Sequence, residues 1–134
     1  MRSIFCGCES LEKLNLSGWD TSCVKDMYEM FSNCHMLKTL DLSSFNTENV
    51  RVMKYMFYYC DSLIELDLSN FSGLSVIDTS SMFGYCSKLK KLDLSNFKLS
   101  KTTEVCDMFG ECNSLKNLHG LVKQITNNFY EETD

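Results

Sequence analysis

The chain contains no proline, one tryptophan and only two histidines, His35 and His119, in 134 residues. Each scarcity excludes something. With no proline and no insertion, the chain has no long loop to form a lid or a catalytic pocket. His35 directly follows Cys34, so its side chain points away from that thiol, and no Cys–His nucleophile motif is present. Cys-x-x-Cys is absent, and Cys6-x-Cys8 stands alone, which argues against zinc. A phosphate-binding glycine loop is missing, as is calcium-loop spacing. Catalysis, a cofactor and a bound metal are therefore not expected. No apolar run approaches the ~18 residues that a membrane span requires. Basic residues are outnumbered, 13 to 18, for a formal charge of −5. That balance disfavours nucleic acid or an anionic membrane as partner and suits a protein with a basic surface.

What is present is a strict period. Phe5, Phe31, Phe57, Phe83 and Phe109 are 26 residues apart, as are Cys8, Cys34, Cys60, Cys86 and Cys112. Leu11 and Leu14 begin two further series, ending at Leu115 and Leu118. A fixed period of this size predicts a solenoid. The boundaries are 5–30, 31–56, 57–82 and 83–108, with 109–134 as a capping unit, all in one domain, 1–134. Alternating pairs such as Leu40/Leu42 and Leu66/Leu68 predict a short strand with one buried face. The other apolar steps are threes and fours, which fit tight helical turns. The expected fold is an α/β solenoid: a right-handed leucine-rich-repeat coil of about five short parallel strands with turn or helical returns. Strands about 4.8 Å apart would make a slab roughly 20 Å long. No unit buries its own apolar face, but stacked neighbours do.

The unit Met-Phe-x-x-Cys-x-x-Leu-x-x-Leu-Asp-Leu-Ser-x-Phe is carried by Met30–Phe45, Met56–Phe71 and Met82–Phe97. It resembles the BspA-like leucine-rich repeat family, 26-residue repeats of bacterial surface proteins and lipoproteins. The resemblance covers roughly residues 1–118. It implies adhesion or protein binding, with partners that differ widely.

The N-terminus, Met1-Arg2-Ser3-Ile4-Phe5-Cys6, has no sustained apolar stretch and does not read as a signal peptide. The expected location is cytoplasmic for the chain as given, and the cell surface if it is a fragment of a longer one. Five of the eight cysteines sit on the apolar ladder and read as small buried hydrophobes with free thiols. Parallel side chains there make poor disulfide torsions. Cys6, Cys23 and Cys106 lie off the ladder and are the more reactive ones.

After Leu118 the period fails. Leu121, Ile125 and Phe129 recur at helical spacing, which predicts a C-terminal helical cap over 121–130. The first strand, Lys13 to Ser17, is expected to be an uncovered edge, open to a homodimer through the first unit or shielded by Met1–Phe5 and by charge.

Two surfaces emerge as binding candidates. The outward strand positions read Lys13, Asn15; Thr39, Asp41; Glu65, Asp67; Lys91, Asp93; and His119. Asp41, Asp67 and Asp93 form an in-register column, either an acidic face for a cationic partner or aspartates bonded to local N–H and Ser groups. The varying positions Lys13, Thr39, Glu65 and Lys91 are the specificity candidates. The second surface is aromatic: Tyr55, Tyr58, Tyr59 and Tyr85, flanked by Tyr28. Clustered exposed tyrosines anchor protein interfaces, although they also lie flat over an edge. The sequence thus points to a non-catalytic protein-binding module. Two alternatives stand beside it. One is a small intracellular inhibitor of a nucleic-acid-processing enzyme, of the phage anti-defence kind. The other is a spacer or adhesion segment of a larger surface protein.

Overall fold

A computed structural model of the protein describes residues 1–126. Its local structure begins with tight turns. At the end of the first unit the Met30 N–H donates to the Met27 carbonyl (3.2 Å). In the third, the Cys60 N–H donates to the Phe57 carbonyl (3.1 Å). The third residue of each such turn is left-handed. One series is Ser3, Glu29, Tyr55, Ser81 and Asp107; the other is Gly7, Asn33, Tyr59, Tyr85 and Glu111. This is the hallmark of a type II turn, which normally selects glycine or asparagine. A side chain there costs on the order of 1–2 kcal/mol. Surrounding bonds over-determine the conformation, which is how such strain persists. The N–H of Asn33 donates to the Tyr58 carbonyl (2.7 Å), Tyr59 to Gly84 (2.9 Å) and Tyr85 to Gly110 (2.7 Å). Between them Phe31, Phe57 and Phe83 donate to Met56, Met82 and Met108, each at 2.9 Å. Every second N–H of a turn segment therefore reaches forward into the next unit.

The apolar side chains follow this register. The rings of Phe5, Phe31, Phe57, Phe83 and Phe109 stack with centroids 5.5–5.6 Å apart and planes within 9°. Beside them Cys34, Cys60, Cys86 and Cys112 are buried, and every cysteine is free. Each of these four thiols donates to the phenylalanine carbonyl 29 residues earlier, as Cys60 Sγ does to Phe31 (3.1 Å). Among the described residues no buried side-chain nitrogen or oxygen lacks a partner.

The strands correct the sequence expectation. The five-stranded leucine-rich-repeat solenoid is not what the structure shows. Among the described residues there are two strands, β1 (Glu65–Asp67) and β2 (Lys91–Asp93), three residues each. They pair in parallel, with Glu65, Leu66 and Asp67 opposite Lys91, Leu92 and Asp93. Elsewhere pairing is reduced to single bridges, Asp26–Val52, Val52–Asp78 and Asp78–Glu104, and most of the chain is turn or irregular. The reason is local. The Ser17 N–H is taken by Asn15 Oδ1, and the Ser43, Ser69 and Ser95 N–H groups by Asp41, Asp67 and Asp93 Oδ1, at 2.8–2.9 Å. Such Asx turns compete with a sheet ladder and end β1 and β2 at Asp67 and Asp93, which keeps both strands to three residues; Leu40 and Leu42 are buried without forming one. Lys13–Ser17 is not a strand either, and the expected strand edge is absent.

The last element, α1 (Leu118–Thr126), begins three residues before the expected cap; residues 127–130 lie outside the described ones. Asn117, a favoured residue type just ahead of a helix, has its carbonyl accept the Leu121 N–H (3.0 Å). Leu121 and Ile125 are buried, and Ile125 accepts the Leu99 N–H (3.1 Å). No described helix is long and apolar enough to cross a membrane.

Candidate functional site

The two left-handed positions place tyrosines on one surface. Tyr59 and Tyr85, equivalent residues of successive units, stack at 4.4 Å, 4° from parallel. Tyr58 stands edge-on to both, at 4.9 Å from Tyr59 and 5.6 Å from Tyr85. Tyr55 meets Tyr58 edge-on at 5.0 Å, and Tyr28 meets Tyr55 at 5.9 Å. Five rings thus form one continuous group across four units. Tyr85 is exposed and the others are half-buried. Gly84 makes the centre possible, because a Cβ there would lie 2.9 Å from two carbons of the Tyr58 ring.

The cluster carries its own cations. Arg2 lies 4.4 Å over the Tyr28 ring and Lys54 5.4 Å from that of Tyr55. Their charges are balanced at Asp26 (2.9 Å) and Asp78 (3.7 Å). At the other end His35 meets Tyr59 edge-on at 6.1 Å and contacts Asp61 at 3.3 Å. The Tyr58 hydroxyl titrates above its ordinary range, first through withdrawal from solvent and then through its phenol neighbours. Arg2, Lys54, His35 and Asp61 were not among the sequence candidates. The 26-residue offset that aligns Arg2 with Tyr28 and His35 with Asp61 was the available signal.

The strand-side candidates fall elsewhere. Thr39, Asp41, Glu65, Asp67, Lys91 and Asp93 line an open cleft of about 770 Å³. Leu40, Leu66, Leu92, Leu94, Leu115 and Leu121 lie between them, and Lys90 and Asn117 complete it. Lys91 Nζ and Glu65 Oε2 are 3.8 Å apart and both exposed, a pairing worth little. The carboxyls of Asp41 and Asp67 are held below their ordinary value by the Ser43 and Ser69 hydroxyls and N–H groups. The aspartate column therefore has a local turn role, and lysines share its cleft. Asn15 sits in a separate small depression with Asp41 and Ser43. Lys13 is exposed outside both. His119 does not extend the column as expected, because it lies on α1. Among the described residues no group of three or more His, Cys, Asp or Glu side chains is placed to hold a metal.

Residues 1–121 match the model of a family described as "Mycoplasma protein of unknown function, DUF285". The chain belongs to that family. In this DUF285 member the match takes in the whole tyrosine cluster and the cleft, and ends in the first turn of α1. The family description assigns no activity. Neither a curated protein nor a solved structure matches the chain.

Proposed function

We propose that this DUF285 member is a non-catalytic protein-binding module whose main contact surface is the tyrosine cluster. The observation that carries this reading is the unbroken contact of Tyr28, Tyr55, Tyr58, Tyr59 and Tyr85 on a partly exposed surface. Tyrosines are large and stiff, and each presents a hydroxyl, so they dominate interface energetics. Here backbone turns and mutual stacking already hold the rings, so little ordering cost is left for binding. A net charge of −5 suits a partner with a basic surface. The resemblance of the unit to the BspA-like family, with its implied protein binding, points the same way. The cleft is the secondary contact, since its charges are mixed and its aspartates are engaged in turns.

The test is capture of partners from the native cell by the 134-residue chain, followed by affinity measurement on the recovered partner. Loss of a hot-spot anchor typically costs at least about 2 kcal/mol, or about 30-fold in Kd. Simultaneous alanines at Tyr58, Tyr59 and Tyr85 should weaken binding by at least that factor, and Glu65→Lys with Asp67→Lys by less. Binding that survives both variants, with folding intact, defeats the proposal.

A further inference from the structure

The closest ring pair among the described residues lies at the surface and carries two phenols. Phenylalanines of successive units stack at 5.5–5.6 Å, and Phe45 on Phe71 at 6.4 Å. Tyr59 and Tyr85 share the 26-residue offset yet stack at 4.4 Å. Backbone fixes both residues: each is left-handed, and their N–H groups donate to the Gly84 and Gly110 carbonyls (2.9 and 2.7 Å). With the planes 4° from parallel, ring carbons of the one face ring carbons of the other. Tyr85 is 40% exposed, so a reagent in solution reaches the pair.

A phenol can do what phenylalanine cannot. Loss of one electron and the hydroxyl proton leaves a phenoxyl radical, whose unpaired electron is shared with the ring carbons ortho to the oxygen. Two such radicals join where ortho carbons meet, and holding the reactants face to face raises that rate steeply. The other contacts of the cluster do not hold rings this way. Tyr58 meets Tyr59 at 89° and Tyr85 at 86°, and Tyr55 meets Tyr58 at 67°, so each pair turns a ring edge toward a face. A first radical formed on exposed Tyr85 exchanges with Tyr59 across the stack, which leaves Tyr85 open to a second oxidation.

We infer that Tyr59 and Tyr85 are an oxidative cross-linking site, and that a one-electron oxidant of the haem-peroxidase class, driven by hydrogen peroxide, joins them as a biphenol. Each phenol gives up one electron and one proton. The two phenoxyl radicals form one carbon–carbon bond between ortho carbons. The two hydrogens on those carbons then move to the phenoxyl oxygens, which restores both aromatic rings. The two electrons and two protons reduce one peroxide, break its O–O bond and yield two waters. The new bond ties the third unit to the fourth and closes a loop across the 26-residue offset. It therefore restricts the unfolded chain as a disulfide would. The chemistry rests on the stack alone and not on the cluster's role in binding.

Treatment of the 134-residue chain with hydrogen peroxide and a haem peroxidase tests this. The exposed thiols Cys6, Cys23 and Cys106 are first capped by alkylation so that they do not quench the radicals. The expected product is a single chain lighter by two hydrogen atoms, with the blue fluorescence of a biphenol. Cleavage after Met56 and Met82 should then leave fragments 57–82 and 83–108 joined. Tyr59→Phe and Tyr85→Phe keep the rings and should each abolish the joined fragments, whereas Tyr58→Phe should leave them. Circular dichroism checks the fold of each variant, and the cross-linked chain should unfold at a higher temperature than the untreated one. An absence of joined fragments from the folded chain overturns the inference. So does joining that survives Tyr59→Phe, or a bond that maps to Tyr130 in place of Tyr85.

Discussion

Tyr59 and Tyr85 stack ring on ring at 4.4 Å while both backbones stay left-handed, φ +58° and +62°. The stack and the strain oppose each other. An aromatic pair of this kind is worth roughly 0.5–1.5 kcal/mol beyond its burial, and a left-handed side chain costs on the order of 1–2 kcal/mol. Tyr85→Ala loses the ring and keeps the strain. Tyr85→Gly loses both, at the expense of a more flexible unfolded chain. The glycine variant should be the more stable of the two by about 0.5–1 kcal/mol in urea unfolding. Equal stabilities would mean that position 85 is not held left-handed in solution.

The buried thiols set an alkaline limit. Burial pushes Cys34 and Cys112 from 9.0 to about 11, and Cys60 and Cys86 higher still. The unfolded chain releases these protons near pH 9 and the folded one retains them, so stability falls as pH rises from about 9 toward 11. Between pH 9 and 10 the loss is roughly 1 kcal/mol per thiol, or roughly 4 kcal/mol for the four. Cys60→Ala should flatten this fall by about a quarter in unfolding measured at both pH values. At neutral pH a thiol reagent should modify Cys23 and Cys106 fastest. Cys6 should be slower, because partial burial and then Glu29 raise its thiol. The four buried thiols should react only on unfolding.

Much of this core is legible in the sequence. The phenylalanine stack and the cysteine ladder follow from residues spaced 26 apart, because equal spacing and equal chemistry can be met by one stacking operation. Leu40 and Leu42 also announce their burial. The strand expected around them does not form, although the same Asp-x-Ser turn follows β1 and β2, because periodicity records burial rather than which partner an N–H takes. The left-handed positions are hidden for another reason. Glu29, Tyr55 and Ser81 are not residues that signal positive φ, and only bonds to neighbouring units impose it. The tyrosines were visible as a group, but their continuity rests on Gly84, whose missing side chain matters only beside Tyr58.

Gly73 replaces a residue that is threonine at Thr21 and Thr47. A Cβ there would lie 2.7 Å from the Lys98 carbonyl oxygen and 2.8 Å from a Leu99 methyl. Backbone cannot retreat as a flexible side chain can, so Gly73→Ala should destabilise by roughly 1–3 kcal/mol. Gly110→Ala meets nothing closer than 3.4 Å and should stay within about 0.5 kcal/mol of the parent. Thermal unfolding of the two variants side by side decides, and a neutral Gly73→Ala would show that the Gly73–Lys98 approach is looser than described.

Gly84→Ala probes function without removing a tyrosine. The added methyl would stand 2.9 Å from the Tyr58 ring, and the ring must swing away from Tyr59 and Tyr85. Because the obstacle is a half-exposed side chain, stability should fall by less than in Gly73→Ala. Affinity for a captured partner should fall with it if the tyrosine cluster is the contact surface. Undiminished affinity together with a displaced Tyr58 ring, seen in its NMR shifts, would assign the contact elsewhere.

Asp67 separates the turn from the surface charge. Its Oδ1 accepts the Ser69 N–H at 2.9 Å, and the Ser69 hydroxyl and N–H together hold the carboxyl below its ordinary value. The nearby Asp41 opposes them weakly by raising it. A depressed carboxyl stabilises the fold above its unfolded pKa, and that contribution is lost as pH falls through the folded value. Asp67→Asn keeps an acceptor oxygen for the turn and removes the charge, whereas Asp67→Ala removes both. The asparagine variant should therefore unfold close to the parent at neutral pH and lose the acid dependence that this carboxyl supplies. The alanine variant should be less stable at every pH. If the carboxylate also meets a cationic partner, the asparagine variant alone will bind more weakly at unchanged stability, and that weakening will shrink as salt is raised.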